Sequence, residues 1–287
     1  MHWKVKAALR FADTIKPGIW TRSIAEILSF TLRLIAPREK TALKNIETVF
    51  PGISSSKKED ILAASYENMV WTGLELMSLH KNPELIKEYV VEEEGVEHLK
   101  NALARNKGAI LISCHIGNWE LSAAWGAQLC NMAAIARSAD NEIHREIIEE
   151  LRKAENTWII DKTEPMTRVL GHIKNKGAIG LLSDQHAGNE GIVVPFFGRE
   201  TGTVKGAGVF AYLTGAPIIP YMAERIAPFK LKIKVYPEVK WEKGPDRDST
   251  IKDITVLCNS ALEQMIRDNP GQWLWQHRRF REMEYND

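Results

Sequence analysis

The sequence predicts an α/β fold: a largely parallel or mixed central sheet flanked by helices, with an N-terminal helical extension. Three observations carry this expectation. From about residue 88, short apolar runs alternate with stretches of helical periodicity, as strands do with crossover helices. Before that point the apolar spacing is helical. The chain has 287 residues, 44% hydrophobic and 26% charged, which suits one large domain with an extension and speaks against disorder. The expected division is a helical, membrane-associating region over 1–85 and an α/β region over 86–287.

In the first region, residues 19–36 set Trp20, Ile24, Ile27, Leu28, Leu34 and Ile35 at helical spacing, with Arg22, Glu26 and Arg33 elsewhere. This is an amphipathic helix, fit either to lie in a bilayer interface or to pack on the protein. Helices over 38–49 and 55–79 follow, separated by Pro51-Gly52, with Ser56 and Glu59 reading as a capping box. In the second region the strand candidates are 108–114, 132–136, 157–160, 177–182, 217–222 and 231–236. Helices fit at 96–106, 118–130, 141–155, 165–175, 204–214 and 249–268.

Net charge is only +1, which argues against nucleic acid as a partner. The charge is uneven, however. Residues 1–44 hold nine Lys or Arg against three acids, leaving that segment +6 and the remainder −5. A basic first segment suits an anionic membrane surface as well as it suits a solvated helical face. The three cysteines (Cys114, Cys130, Cys258) form neither a metal pattern nor a disulfide framework. No signal peptide is evident, and no stretch reaches the roughly 18 apolar residues of a spanning helix.

Ligands of such sheets sit at the carboxyl ends of the strands. His115 follows the most apolar strand candidate, Arg137 a second, and Asp184 with Gln185 a third. His115 also has an acid five residues on, Glu120. That spacing occurs three times in the chain, with His144/Glu149 and His277/Glu282 the other two. The His144 pair falls inside a charged helix, where five residues turn the side chains well apart. The His277 pair has no strand before it and lies in a basic cluster, HRRFRE. His115 alone stands at a strand-to-helix junction, where Gly117 permits a tight turn and Asn118 is a good N-cap. There Glu120 is placed to reach back to one imidazole nitrogen, fixing the tautomer of a general base. No G-x-S-x-G elbow supplies a serine nucleophile. Cys114 faces away from His115 on the strand, and a metal would need a third ligand, for which His186 is a loose candidate without supporting spacing. KGAGVFA (205–211) holds a partial G-x-G-x-x-A, but the polar residues before it read as a loop rather than the strand a dinucleotide site needs.

The segment CHIGNWE (114–120) resembles the H-x4-[DE] motif of the lysophospholipid and glycerolipid acyltransferases. KNIETVFPGIS (44–54), ARSADN (136–141), LLSDQHAG (181–188), VVPFFGRETGT (193–203), GAPIIPYMAER (215–225) and QWLWQHRRFR (272–281) are similar, in that order, to one branch of them. That branch is the bacterial lipid A biosynthesis (lauroyl/myristoyl) acyltransferases. The resemblance spans about residues 38–281 and implies a glycerolipid-acyltransferase-like fold. It implies transfer of an acyl chain from a thioester to a lipid hydroxyl, with His115 as base and Glu120 orienting it. Acyl-carrier protein and coenzyme A both remain open as donor, with no further cofactor and no metal. The acceptor it implies is a membrane glycolipid, a lipid A precursor first, with a phospholipid or mannolipid as alternatives. A thioesterase and a non-catalytic lipid-binding protein are the other readings. The place implied is the cytoplasmic face of the bacterial inner membrane, held peripherally.

On the same resemblance, Asn118, Arg137, Asn141, Asp184, Gln185, Arg199 and Lys205 are candidates for substrate binding. Arg137 and Asn141 match an anion-handling loop. Asp184 and Gln185 fit either acceptor hydroxyls or orientation of the His115 helix. Arg199 and Lys205 fit a phosphate or the donor's phosphopantetheine arm.

Overall fold

The central sheet has seven strands. In the computed structural model, which describes residues 2–153, 157–283 and 285, they are β1 (Val90–Glu94), β2 (Ala109–Ser113), β3 (Met132–Ala136), β4 (Trp158–Asp161), β5 (Ala178–Leu182), β8 (Ile218–Ala227) and β9 (Lys230–Val235). Their spatial order is β1-β9-β8-β2-β5-β3-β4. Strands β8, β2, β5, β3 and β4 are mutually parallel, and β9 turns back antiparallel on β8 with β1 parallel to it. The sheet is therefore mixed, with its five parallel strands ending at one edge. Strand β2 is buried at every position, as expected of an apolar run covered on both faces.

The helices are α1 (Trp3–Ala12), α2 (Ile19–Ile35), α3 (Glu39–Val49), α4 (Ser55–Ser78), α5 (Ile86–Tyr89), α6 (Val96–Ala104), α7 (Trp119–Leu129), α8 (Glu142–Arg152), α9 (Met166–Lys174), α10 (Gly206–Thr214) and α11 (Arg247–Asp268). Every strand and helix expected from periodicity has its counterpart here. The last two residues of the helix expected over 141–155 lie outside the described residues.

Three features differ from expectation. The N-cap of α4 is Ser54, whose Oγ accepts from Lys57 N–H at 3.4 Å, so the helix starts ahead of the Ser56/Glu59 box. Strand β1, sequence VVEEE, carries too many acids to read as a strand. It forms because it lies at the sheet edge, where Lys232 of β9 reaches Glu92 and Glu94 at 3.6 and 2.7 Å. The segment 192–203 is a two-stranded hairpin, β6 (Ile192–Phe196) and β7 (Arg199–Thr203), rather than a loop. Its two-residue turn, Phe197-Gly198, has φ of +51° and +70°, the primed geometry that matches strand twist. A strand thus does precede the glycines of KGAG. It belongs to this antiparallel hairpin, and a Cβ at Gly208 would stand 2.9 Å from Ile251 O, so that glycine serves α10–α11 packing.

Two hydrophobic clusters lie against the sheet, and both draw on either side of residue 85. One joins Val5, Leu9 and Leu74 to Leu121 and Leu231; the other joins Ile46 and Tyr66 to Ile110, Ile218 and Trp275. Helix α2 buries small residues, Thr21 and Ala25. Its large apolar residues Ile19, Trp20, Ile27, Phe30, Leu34 and Ile35 are 63–84% exposed, and Trp3 of α1 is 69% exposed. The amphipathic helix therefore turns its broad apolar face outward. No described helix is long and apolar enough to cross a membrane.

Candidate active site

Strands β2 and β5 are adjacent and in register, Ser113 opposite Leu182. Two residues beyond this last pair, each chain delivers a titratable group: His115 from one, Asp184 from the other. His115 N–H donates to Asp184 Oδ2 at 2.9 Å and its Nδ1 lies 2.8 Å from Oδ1. Trp273 Nε1–H donates to Oδ2 at 2.7 Å. Burial raises the Asp184 pKa, but the imidazole and these donors outweigh it and hold the carboxyl at about 2. It can only accept, so the proton on Nδ1 is His115's own and Nε2 is the ring's basic nitrogen. Burial lowers the His115 pKa; the Asp184 charge and hydrogen bond overcome this, and the ring titrates above its ordinary value. Gln185 Nε2 faces His115 Nε2 at 3.5 Å.

The loop that turns His115 into place is tightly fixed. Gly117 has φ +58°, and a Cβ there would stand 2.0 Å from Ala223 O. His115 O accepts from Leu274 N–H at 2.9 Å and Ala223 O from Asn118 N–H at 2.8 Å, so the turn is wedged between β8 and residues 272–274. Asn118 caps α7, its Oδ1 accepting from Leu121 N–H at 3.0 Å.

Beside Trp119, which neighbours the histidine, lies a pocket of about 60 Å³ that opens to solvent. Its walls are largely apolar: Trp119, Ala123, Met132, Ile135, Ile159 and Tyr221, with Glu120 and Arg152 as the polar contribution. The Trp119 ring lies 5.4 Å from that of His115. The arrangement is a buried, oriented base beside an apolar slot, and Cys114 does not stand as nucleophile: burial raises its thiol well above its ordinary pKa.

The sequence model of the bacterial lipid A biosynthesis acyltransferases matches residues 3–282. The chain belongs to that family. This O-acyltransferase is 25% identical over 247 residues to the lipid A biosynthesis palmitoleoyltransferase of Escherichia coli (strain K12), covering 85% of this chain and 79% of the relative. It is 23% identical over 253 residues to the lauroyltransferase of the same organism, covering 87% and 81%. It is 22% identical over 240 residues to the phosphatidylinositol mannoside acyltransferase of Mycobacterium tuberculosis (strain CDC 1551 / Oshkosh), covering 80% and 73%.

Within this acyltransferase the candidate residues separate. His115, Asp184 and Gln185 come together. Glu120 does not hold the imidazole: its two oxygens accept from Arg152 Nη2 and Nε, each at 2.9 Å, and Oε1 also from Trp119 Nε1 at 3.2 Å. Helix α7 starts only at Trp119, which sends the next side chain toward α8, and the acid on the neighbouring strand is closer to the ring. Asn118 is fully buried with its amide engaged at both ends, Nδ2 donating to Glu75 Oε2 at 2.7 Å, so it builds the loop rather than facing substrate.

Arg137, whose side chain is 63% exposed, is paired with Asp140, and Asn141 caps α8 by accepting from His144 N–H at 3.1 Å. Arg199 begins β7 at the hairpin tip, four residues from Thr203, which bridges to His186; that is about 13 Å along a strand. Lys205 is exposed at the start of α10. Both ring nitrogens of His186 are engaged, Nε2 by Glu282 at 3.0 Å and Nδ1 by Gly188 N–H at 2.9 Å, which removes it as a metal ligand.

Sequence reasoning missed Trp273 and set His277 aside. His277 Nε2 accepts from His186 N–H at 3.0 Å, and burial pushes its pKa down to about 4. The signal was available in QWLWQHRRFR, where large aromatics beside arginines near a chain end mark buried anchoring.

Proposed function

We propose that this enzyme moves a fatty acyl chain from a thioester to a hydroxyl of a membrane glycolipid, with a lipid A precursor as the first candidate acceptor. The observation that carries the reading is the His115–Asp184 pair beside the apolar pocket. The acceptor hydroxyl approaches Nε2, which takes its proton as the oxygen attacks the thioester carbonyl. Asp184 holds the ring and stabilises the imidazolium. The tetrahedral oxyanion forms near the amino terminus of α7 and the Gln185 amide, and collapses by expelling the thiolate, which takes the proton back from Nε2. No acyl-enzyme is formed. The pocket walls receive the acyl chain, and the Glu120–Arg152 pair marks its polar mouth.

The donor is acyl-carrier protein or acyl-coenzyme A. The protein acts peripherally at the cytoplasmic face of the inner membrane, laying the exposed apolar face of α2 and Trp3 into the interface with the basic first segment on anionic headgroups. Similarity to the mannoside acyltransferase favours a mannolipid as the second acceptor.

A mass-spectrometric transfer assay with both thioesters and with lipid A precursor, mannolipid and lysophospholipid as competing acceptors tests this. A new ester on one acceptor, lost in His115→Ala, supports the reading and names the acceptor. Free fatty acid alone means a thioesterase, and no product with retained lipid binding means a binding protein. Flotation with anionic vesicles, weakened by Trp20→Ser/Ile27→Ser, tests the docking face.

A further inference from the structure

A second polar feature lies behind the catalytic rim. Arg38, His277, Arg278, Arg281, Met283 and Tyr285 line an open cleft of about 550 Å³. Three guanidinium groups from opposite ends of the chain share it. Arg38 stands between α2 and α3 with φ +58°, a left-handed conformation that a non-glycine residue adopts at a cost, and such strain gathers at functional positions. Its Nη1 donates to Gln276 O at 3.5 Å.

The two ends are tied firmly together. Asn45 Nδ2 donates to the carbonyls of Trp275 and His277, both at 2.7 Å. Tyr285 Oη donates to Asn45 Oδ1 at 2.7 Å and accepts from Phe280 N–H at 3.0 Å. Lys44 and Arg278 lie over the Tyr285 ring at 5.4 and 6.0 Å. The nearby acid Glu282 is engaged elsewhere, by His186 Nε2 at 3.0 Å and Gly202 N–H at 2.8 Å. Three guanidinium groups thus line the cleft on a rigid frame.

Two neighbours say what the cleft would take. On its inner side His277 meets His186, which follows Gln185, and Gln185 meets His115. On its outer side Leu34 and Ile35, 71% and 68% exposed, end the apolar face of α2 one turn before Arg38. Guanidinium groups match phosphate oxygens by their planar fork, and a membrane-lying helix holds its flanks at headgroup depth.

We propose that this cleft, formed by Arg38, Arg278 and Arg281, binds a phosphate group of the lipid acceptor. The proposal rests on the acyl-transfer reading and adds a recognition site to it. Phosphate on the donor's pantetheine arm is the other source of the same chemistry, and donor kinetics tell the two apart.

The test compares a diphosphorylated glucosamine-disaccharide lipid with its dephosphorylated counterpart, in wild type and in Arg38→Ala/Arg281→Ala. Both side chains are exposed, and an unchanged melting temperature checks the fold. Wild type is expected to favour the phosphorylated acceptor by about 10–100-fold in kcat/KM, as two charge-assisted contacts allow. In the double variant that ratio falls toward one through acceptor KM, with donor KM unmoved, and Arg281→Lys restores part of it. An undiminished ratio overturns the inference, as does an effect confined to donor KM. Loss of all transfer in wild type would instead refute the proposed function. Calorimetric binding of the phosphorylated lipid in detergent, by wild type against the double variant, then still decides the site: equal binding overturns it.

Discussion

Two stretches of the same sheet edge look alike in sequence and differ in structure. Over β2 and β5, His115 and Asp184 are wired to each other and to Trp273, with the Asp184 side chain 2% exposed. Over β3 and β4, Arg137 pairs with Asp140 in solvent, and Asp161 accepts from Ser138 and Thr163. Both stretches put polar residues at strand ends. The first is covered by the segment 272–277, through Trp273 on Asp184 and Leu274 on His115, and cover is what gives a charged pair its strength, because the low-dielectric surroundings leave it no water to prefer. The lesson is that a strand end offers a position, while burial by distant chain makes it chemistry.

The largest expected effect tests that contrast directly. His115→Ala should lower transfer by about 10²–10⁴-fold, and Asp184→Asn should approach it by leaving the tautomer unfixed. A pH profile sharpens the point. The base must be neutral, so kcat/KM should fall as pH drops through a value above 6.5, the ordinary imidazole pKa. Asp184→Asn removes the charge that raises it, moving this limb to lower pH; a limb that stays in place would separate Asp184 from the base.

Next comes the scaffold of the covered rim. Glu75 is fully buried, with Arg225 Nη2 at 2.8 Å, Asn118 Nδ2 at 2.7 Å and Phe229 N–H at 2.9 Å on its oxygens. Glu75→Gln leaves the Arg225 charge uncompensated and should cost about 3–5 kcal/mol in chemical denaturation. A smaller effect is set by His277. Its pKa is depressed to about 4, so the unfolded chain binds more protons between pH 6.5 and 4. Stability should therefore fall as pH drops across that window, on the order of 2–3 kcal/mol, and His277→Gln should flatten the slope in melts. The smallest effect belongs to the open rim: Arg137→Ala should leave melting within about 0.5 kcal/mol and transfer within about twofold. A loss there matching that of Asp184→Asn would break the comparison.

Much was legible in the sequence because it is a local property. The apolar run of β2 ending at His115, the glycine at 117 and the cap at Asn118 are written in neighbouring residues, and the register of alternating strands and helices follows from periodicity. The ordered motifs likewise carried the family. The partner of His115 was not legible: Glu120 is near in sequence but its carboxylate turns to Arg152, while Asp184 reaches the ring because sheet order sets β5 beside β2. Nor could the sequence say that α2 would bury Thr21 and Ala25 and turn Trp20 outward, because an amphipathic pattern gives a face without its direction. The joining of Arg38 to Arg278 and Arg281, some 240 residues apart, also belongs to the fold alone. Sequence sets what each segment prefers; pairing between distant segments depends on which arrangement of the whole chain buries most apolar surface with its polar groups satisfied.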